Sequence, residues 1–161
     1  MHKINFYAPS GFEEWDYCSP DKTGIGGSET HVVEMSWRLA QRGFEVKVFA
    51  PMSSDCVNEW KGTQWMHYDE VDPSEEAIWV LCRCPAAVDL NFNGRVWVVC
   101  QDTIYTGQWG KDRAQKYEKV IALCNAHAQY LSNCHPEIKD KIVISSNGIK
   151  TELFEELEKE N

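Results

Sequence analysis

Apolar residues in this chain fall into short runs of five or six, separated by stretches in which they recur every three or four positions. The first run, Ile4 to Ala8, reads as a strand, and Glu45 to Ala50 as a second. Further strand patterns lie at Gln64 to Tyr68, Ala77 to Cys82, Arg95 to Cys100, Lys119 to Cys124 and Lys141 to Ser145. The runs that begin at Ala77, Arg95 and Lys119 are almost continuous in apolar residues, as strands covered on both faces should be. Between the first two strands, about Ser28 to Arg42 aligns Val32, Val33, Ser36, Trp37, Leu39 and Ala40 on one helical stripe. Gly43 stands where a helix-ending glycine belongs, with Phe44 placed to pack back on the helix end. Shorter helical patterns occupy Pro85 to Leu90, Lys111 to Tyr117 and Asn125 to Asn133, with Asn125 placed to cap the last. This alternation predicts an α/β fold: a Rossmann-like, doubly wound, mainly parallel sheet of six or seven strands.

Residues 1–149 carry the whole pattern and make one expected domain of the 161-residue chain. Residues 150–161 are acidic and amphipathic, and are expected to form a C-terminal helix or tail. Ser10 to Thr23 is the longest stretch without a pattern, and loops of that length in compact domains tend to be functional or mobile.

A net charge of −9 removes the basic patch on which nucleic-acid or anionic-membrane binding usually rests. No run approaches the roughly 20 apolar residues that cross a bilayer, and the first residues enter a strand pattern directly, so the chain is expected to be soluble and cytoplasmic. The cysteine count is odd, at 7, and several thiols sit inside apolar runs, where they act as small hydrophobes. Cys82-Arg83-Cys84 lacks the spacer of zinc or redox pairs, and the five histidines show no ligand spacing, so no metal is expected and each histidine reads as structural. No catalytic nucleophile can be named: Ser10, Ser53, Ser145 and Ser146 lack a nucleophile-elbow motif.

In an open α/β sheet, ligands collect beyond the carboxyl ends of the strands. That rule selects the Ser10 to Glu29 segment, Pro51, Arg83-Cys84-Pro85, Gln101-Asp102 and Cys124-Asn125. The first contains Gly24-Ile25-Gly26-Gly27-Ser28-Glu29, a glycine turn opening onto the long helix. Backbone can approach a ligand closely there, and the first helical N–H groups suit a diphosphate. The same glycines also fit a helix start that needs them only for its turn, with Ser28 and Glu29 capping and favouring it. A dinucleotide fingerprint fits poorly, because its third glycine would be Glu29 and the second strand ends without an acidic residue for a ribose. That disfavours a nucleotide-dependent epimerase or reductase. No Gly-Lys-Ser or Gly-Lys-Thr follows, so a Walker loop is excluded. Two loop tryptophans on the same side, Trp15 and Trp109, read either as stacking faces for a sugar or as lids over the core, with Asp102, Asp112, Glu13, Glu14 and Asp16 as hydrogen-bond acceptors nearby.

Gly26-Gly27-Ser28-Glu29, followed by Leu39-Ala40-Gln41-Arg42-Gly43-Phe44-Glu45-Val46, resembles the amino-terminal, acceptor-side half of retaining GT-B glycosyltransferases of family 4. Tyr117 to His127, then Lys141 to Ile144 and Asn147-Gly148-Ile149, resemble that family's last strands and exit toward a second domain. The resemblance implies transfer of a sugar from a nucleotide-diphosphate sugar to a sugar-bearing acceptor of unknown identity, without metal and with no cofactor beyond the nucleotide-sugar substrate. It places Gly26 and Gly27 at the donor diphosphate, with Ser28, Glu29, Gln101, Asp102, Trp15 and Trp109 on the acceptor or sugar side. Gln101 stands where the family commonly has His, which removes a titratable group; Cys124 and Lys150 also depart from the pattern. The donor-binding half and its acidic signature have no counterpart here, so a separate domain or subunit is implied. The alternative is a non-catalytic sugar or nucleotide binding or assembly module.

Overall fold

A computed structural model describes residues 2–9, 13–52, 58–102 and 107–148. The expected tail at 150–161, and residues 10–12 of the first loop, lie outside them. The described chain is α/β. Its strands are β1 (Lys3–Tyr7), β2 (Glu45–Ala50), β3 (Glu59–Trp60), β4 (Thr63–His67), β5 (Ala77–Cys82), β6 (Gly94–Val99), β7 (Lys119–Ala122) and β8 (Ile142–Ile144). Among the described residues four α-helices accompany them: α1 (Ser19–Lys22), α2 (Gly27–Gln41), α3 (Lys111–Lys116) and α4 (Asn125–Cys134).

All eight strands form one sheet in the order β3-β4-β2-β1-β5-β6-β7-β8, parallel except for the β3–β4 pair. The count exceeds the expected six or seven because of β3, a two-residue strand closing the sheet edge. Its hairpin turns through Lys61 and Gly62, both at positive φ, the geometry that right-twisted two-residue hairpins need. Lys61 keeps this conformation with its ammonium over the rings of Trp60 and Trp37, at 4.5 and 4.7 Å.

Successive strand residues point to opposite faces, and both faces are covered. One core gathers Ile4, Phe6, Val46, Val48, Trp65 and Val80 beneath Val32 and Val33 of α2. The other gathers Tyr7, Phe49, Trp79, Leu81, Val98 and Val120 beneath Val88, Ala114 of α3 and Leu131 of α4. The chain runs outward from β1 in both directions, to β2 and β4 on one side and to β5 through β8 on the other, an order compatible with a Rossmann-like fold.

The ends of α2 follow local chemistry. Gly43, at φ 88, donates to the Ala40 carbonyl while Phe44 donates to Leu39, a paired termination that leaves two last-turn carbonyls satisfied. At the end of β7, Asn125 was expected to cap α4, but Cys124 is the cap and its Sγ accepts the His127 N–H at 3.5 Å. Cys124 keeps the extended backbone of the departing strand, so the helix begins one residue later. The Pro85 to Leu90 pattern forms a 3-10 helix rather than an α-helix.

The amino ends of β1 and β2 are tied by Glu75, whose carboxylate accepts from Lys3 and Lys47 and, at 3.3 Å, from Asn5. Burial works against ionisation of Glu75, yet these donors outweigh it and hold the carboxyl below its ordinary 4.5. A depressed acid stabilises the fold above its unfolded value and loses that contribution as pH falls through the folded value. Glu75→Gln is therefore expected to lower stability at neutral pH by about 1–2 kcal/mol. In urea titrations across pH, the gap to the parent should close below pH 4.5; a constant gap would contradict the assignment.

Candidate functional site

β1 is flanked by β2 and β5, so the point where the chain reverses its direction across the sheet lies at the carboxyl ends of β1 and β5. Three segments meet there: the start of α2, the residue after β5, and Gln101-Asp102, the second and third residues past β6.

α2 opens at Gly26, whose extended backbone (φ −64, ψ 163) makes it the N-cap, with no side chain capping the helix. Gly26 and Gly27 are exposed, and Ser28 is the second helical residue rather than a cap. A Cβ added to Gly26 would overlap Glu29 Oε2, because the Glu29 carboxylate folds back over the helix start, whereas one added to Gly27 would meet nothing. Acid at this position complements the N-terminal end of the helix dipole.

Glu29 does not stand alone. Arg83, the first residue past β5, donates from Nη1 to Glu29 Oε1 at 3.1 Å and from Nε to Asp102 Oδ2 at 2.7 Å. Arg83 adopts the left-handed region, φ 60, and its N–H still reaches the Val99 carbonyl at 3.1 Å, so its turn leaves the sheet with the backbone satisfied. The guanidinium is 29% exposed and Glu29 11%, a half-buried pair in which each charge compensates the other. Gln101 and Asp102 are half-buried at the end of β6. The Asp102 carbonyl takes a hydrogen bond from His127 of α4, whose Nε2 lies 2.9 Å away.

The expected residues Gly26, Gly27, Ser28, Glu29, Gln101 and Asp102 thus belong to segments joined at one rim, linked by Arg83. Trp15 and Trp109 do not present open aromatic faces. Trp15 is 4% exposed and packs edge-on against Trp65, and Trp109 is 8% exposed between Tyr117 and His135. Burying these rings removes more apolar area from water than a loop position suggests.

Sequence reasoning selected Arg83 by position alone; its partners lie 54 and 19 residues away and no local pattern signals them. The nearby thiols of Cys82 and Cys84 are not poised for chemistry, since burial pushes both up, Cys84 to about 12. On the neighbouring face of α2, burial lowers His31 while a hydrogen bond with Asn147, beyond β8, pulls the other way. Among the described residues no three His, Cys, Asp or Glu groups could hold a metal ion, and no helix is long and apolar enough to cross a membrane.

No protein-family model matches this chain, and comparison with characterised proteins gives no significant match.

Proposed function

We propose that this chain is the acceptor-side domain of a GT-B, family 4 type glycosyltransferase, contributing half of a site that moves a sugar from a nucleotide-diphosphate donor to a hydroxyl acceptor with retention. The observation that carries the reading is the Glu29–Arg83–Asp102 bridge, which sets the glycine turn and the Gln101-Asp102 pair on one rim at the reversal point of the sheet. The backbone N–H groups of Gly26 and Gly27 would meet the diphosphate, and the Gln101 amide and Asp102 carboxylate would hydrogen-bond sugar hydroxyls. Catalysis would then rest on positioning and on stabilising the leaving diphosphate, completed by a donor-binding domain or subunit. The Gln101 amide offers hydrogen bonds but no titratable proton, so it is given a binding role only.

One observation favours the second reading, a non-catalytic sugar or nucleotide binding or assembly module. The Glu29 carboxylate already occupies the space over Gly26, so an incoming diphosphate must displace it, which favours the sugar-binding or assembly form of that module.

Binding and turnover with a panel of UDP-, GDP- and ADP-sugars separate the two, comparing the chain alone with the chain joined to a family 4 donor-binding domain. The proposal expects weak, millimolar binding alone and sugar transfer when joined. Gly27→Val, whose Cβ enters open space, should cut donor affinity about tenfold, equivalent to about 1.4 kcal/mol. Binding without transfer by the joined protein would favour the module; neither binding nor transfer would remove the glycosyltransferase reading.

A further inference from the structure

We infer that His127 is a positioning residue for this rim: an imidazole on α4 that fixes the backbone of Asp102 and, through Asp102 and Arg83, the carboxylate of Glu29. His127 is 8% exposed, too buried to meet a ligand itself. Its two ring nitrogens have opposite roles. The Leu123 N–H donates to Nδ1 at 3.3 Å, so the ring proton resides on Nε2, which donates to the Asp102 carbonyl at 2.9 Å.

Both partners are backbone atoms at the ends of adjacent strands. The backbone link from the end of β6 to β7 is made by Cys100 N–H to the Ile121 carbonyl at 2.9 Å. Two residues further out, the imidazole takes over from the strand ladder and holds Asp102 against Leu123. Asp102 Oδ2 accepts from Arg83 Nε, and the same guanidinium donates to Glu29, so a displacement of the Asp102 backbone passes to the start of α2 through two ion pairs. The bearing of this chain on ligand contact rests on the glycosyltransferase reading; the coupling itself does not.

Two substitutions separate positioning from packing. Glutamine offers an oxygen to accept from Leu123 and an amide N–H to donate to Asp102, whereas leucine fills a similar space with neither. The test follows the side-chain N–H signals of His127 and Arg83 by nitrogen-resolved NMR on the full chain. The parent is expected to show a slowly exchanging His127 Nε2–H and a protected Arg83 Nε–H. His127→Leu should lose Arg83 Nε–H protection about tenfold while core amides of β5 stay protected, and His127→Gln should restore it to within about twofold. Affinity for UDP-glucose should follow the same order.

Retained Arg83 protection in the leucine variant, or equal loss in both variants, overturns the inference. Should the leucine variant fail to fold, the parent's tautomer and the glutamine variant still decide, since a proton on Nδ1 contradicts the geometry. A chain that binds no nucleotide sugar yet shows the Arg83 response supports the coupling while removing the glycosyltransferase reading. Binding with no Arg83 response does the reverse.

Discussion

Gly94→Ala is expected to destabilise the domain by about 3–5 kcal/mol, the largest effect of an added methyl at any of the described glycines. Gly94 opens β6 at φ 110, a region that costs a side-chain-bearing residue about 1–3 kcal/mol by itself. The added Cβ would also overlap the carbonyl oxygen of Ala77, and that atom has nowhere to go. Ala77 and Gly94 form the first register pair of β5 and β6, so pushing the carbonyl aside breaks the pairing at its origin. Urea unfolding measures this directly. A loss under about 1 kcal/mol would mean that β6 does not approach β5 as described.

Trp79→Ala should cost about 3–5 kcal/mol, for different reasons. Trp79 is fully buried in β5, stacked on Phe49 at 5.9 Å and against Phe92 at 4.5 Å, so truncation opens a cavity between strands and the covering layer. Its indole N–H is shared between the carbonyls of Glu75 and Asn93, both at 3.1 Å, which pin the segments entering β5 and β6. Trp79→Phe separates the two contributions: it keeps most of the apolar contact and removes the shared donor, for an expected loss of about 1–3 kcal/mol. Equal losses for alanine and phenylalanine would assign the whole effect to the hydrogen bonds.

These sites also show what the sequence made legible. The ranges of β2 and β5 were read to the residue, because their apolar runs are bounded by Gly43-Phe44 and Pro51 and by Glu75-Glu76 and Pro85. Coverage on both faces is legible in the nearly continuous apolar runs that begin at Ala77, Arg95 and Lys119. β3 escaped because two residues carry no period, and its hairpin places a lysine, not asparagine or glycine, at the first positive φ. α1 escaped as a single turn inside a patternless loop. Of the candidate site, the strand-end rule found the segments, since it depends only on topology. Their assembly was illegible, because Glu29, Arg83, Asp102 and His127 meet only through tertiary contacts. The two loop tryptophans show the opposite limit: a position between elements does not signal burial, and both large rings are buried.

The amides at the start of α2 and the residues after β5 and β6 are proposed to form one ligand-facing rim. Backbone amide shifts of the full chain, recorded during titration with UDP-glucose, GDP-mannose and ADP-glucose to millimolar concentration, test it most directly. Saturating shifts centred on Gly26, Gly27 and Ser28, with companions at Arg83 and Gln101, are expected for at least one nucleotide sugar. Shifts confined to the opposite end of the sheet around Glu75, or to α4 and β8, would contradict it, as would none with any of the three.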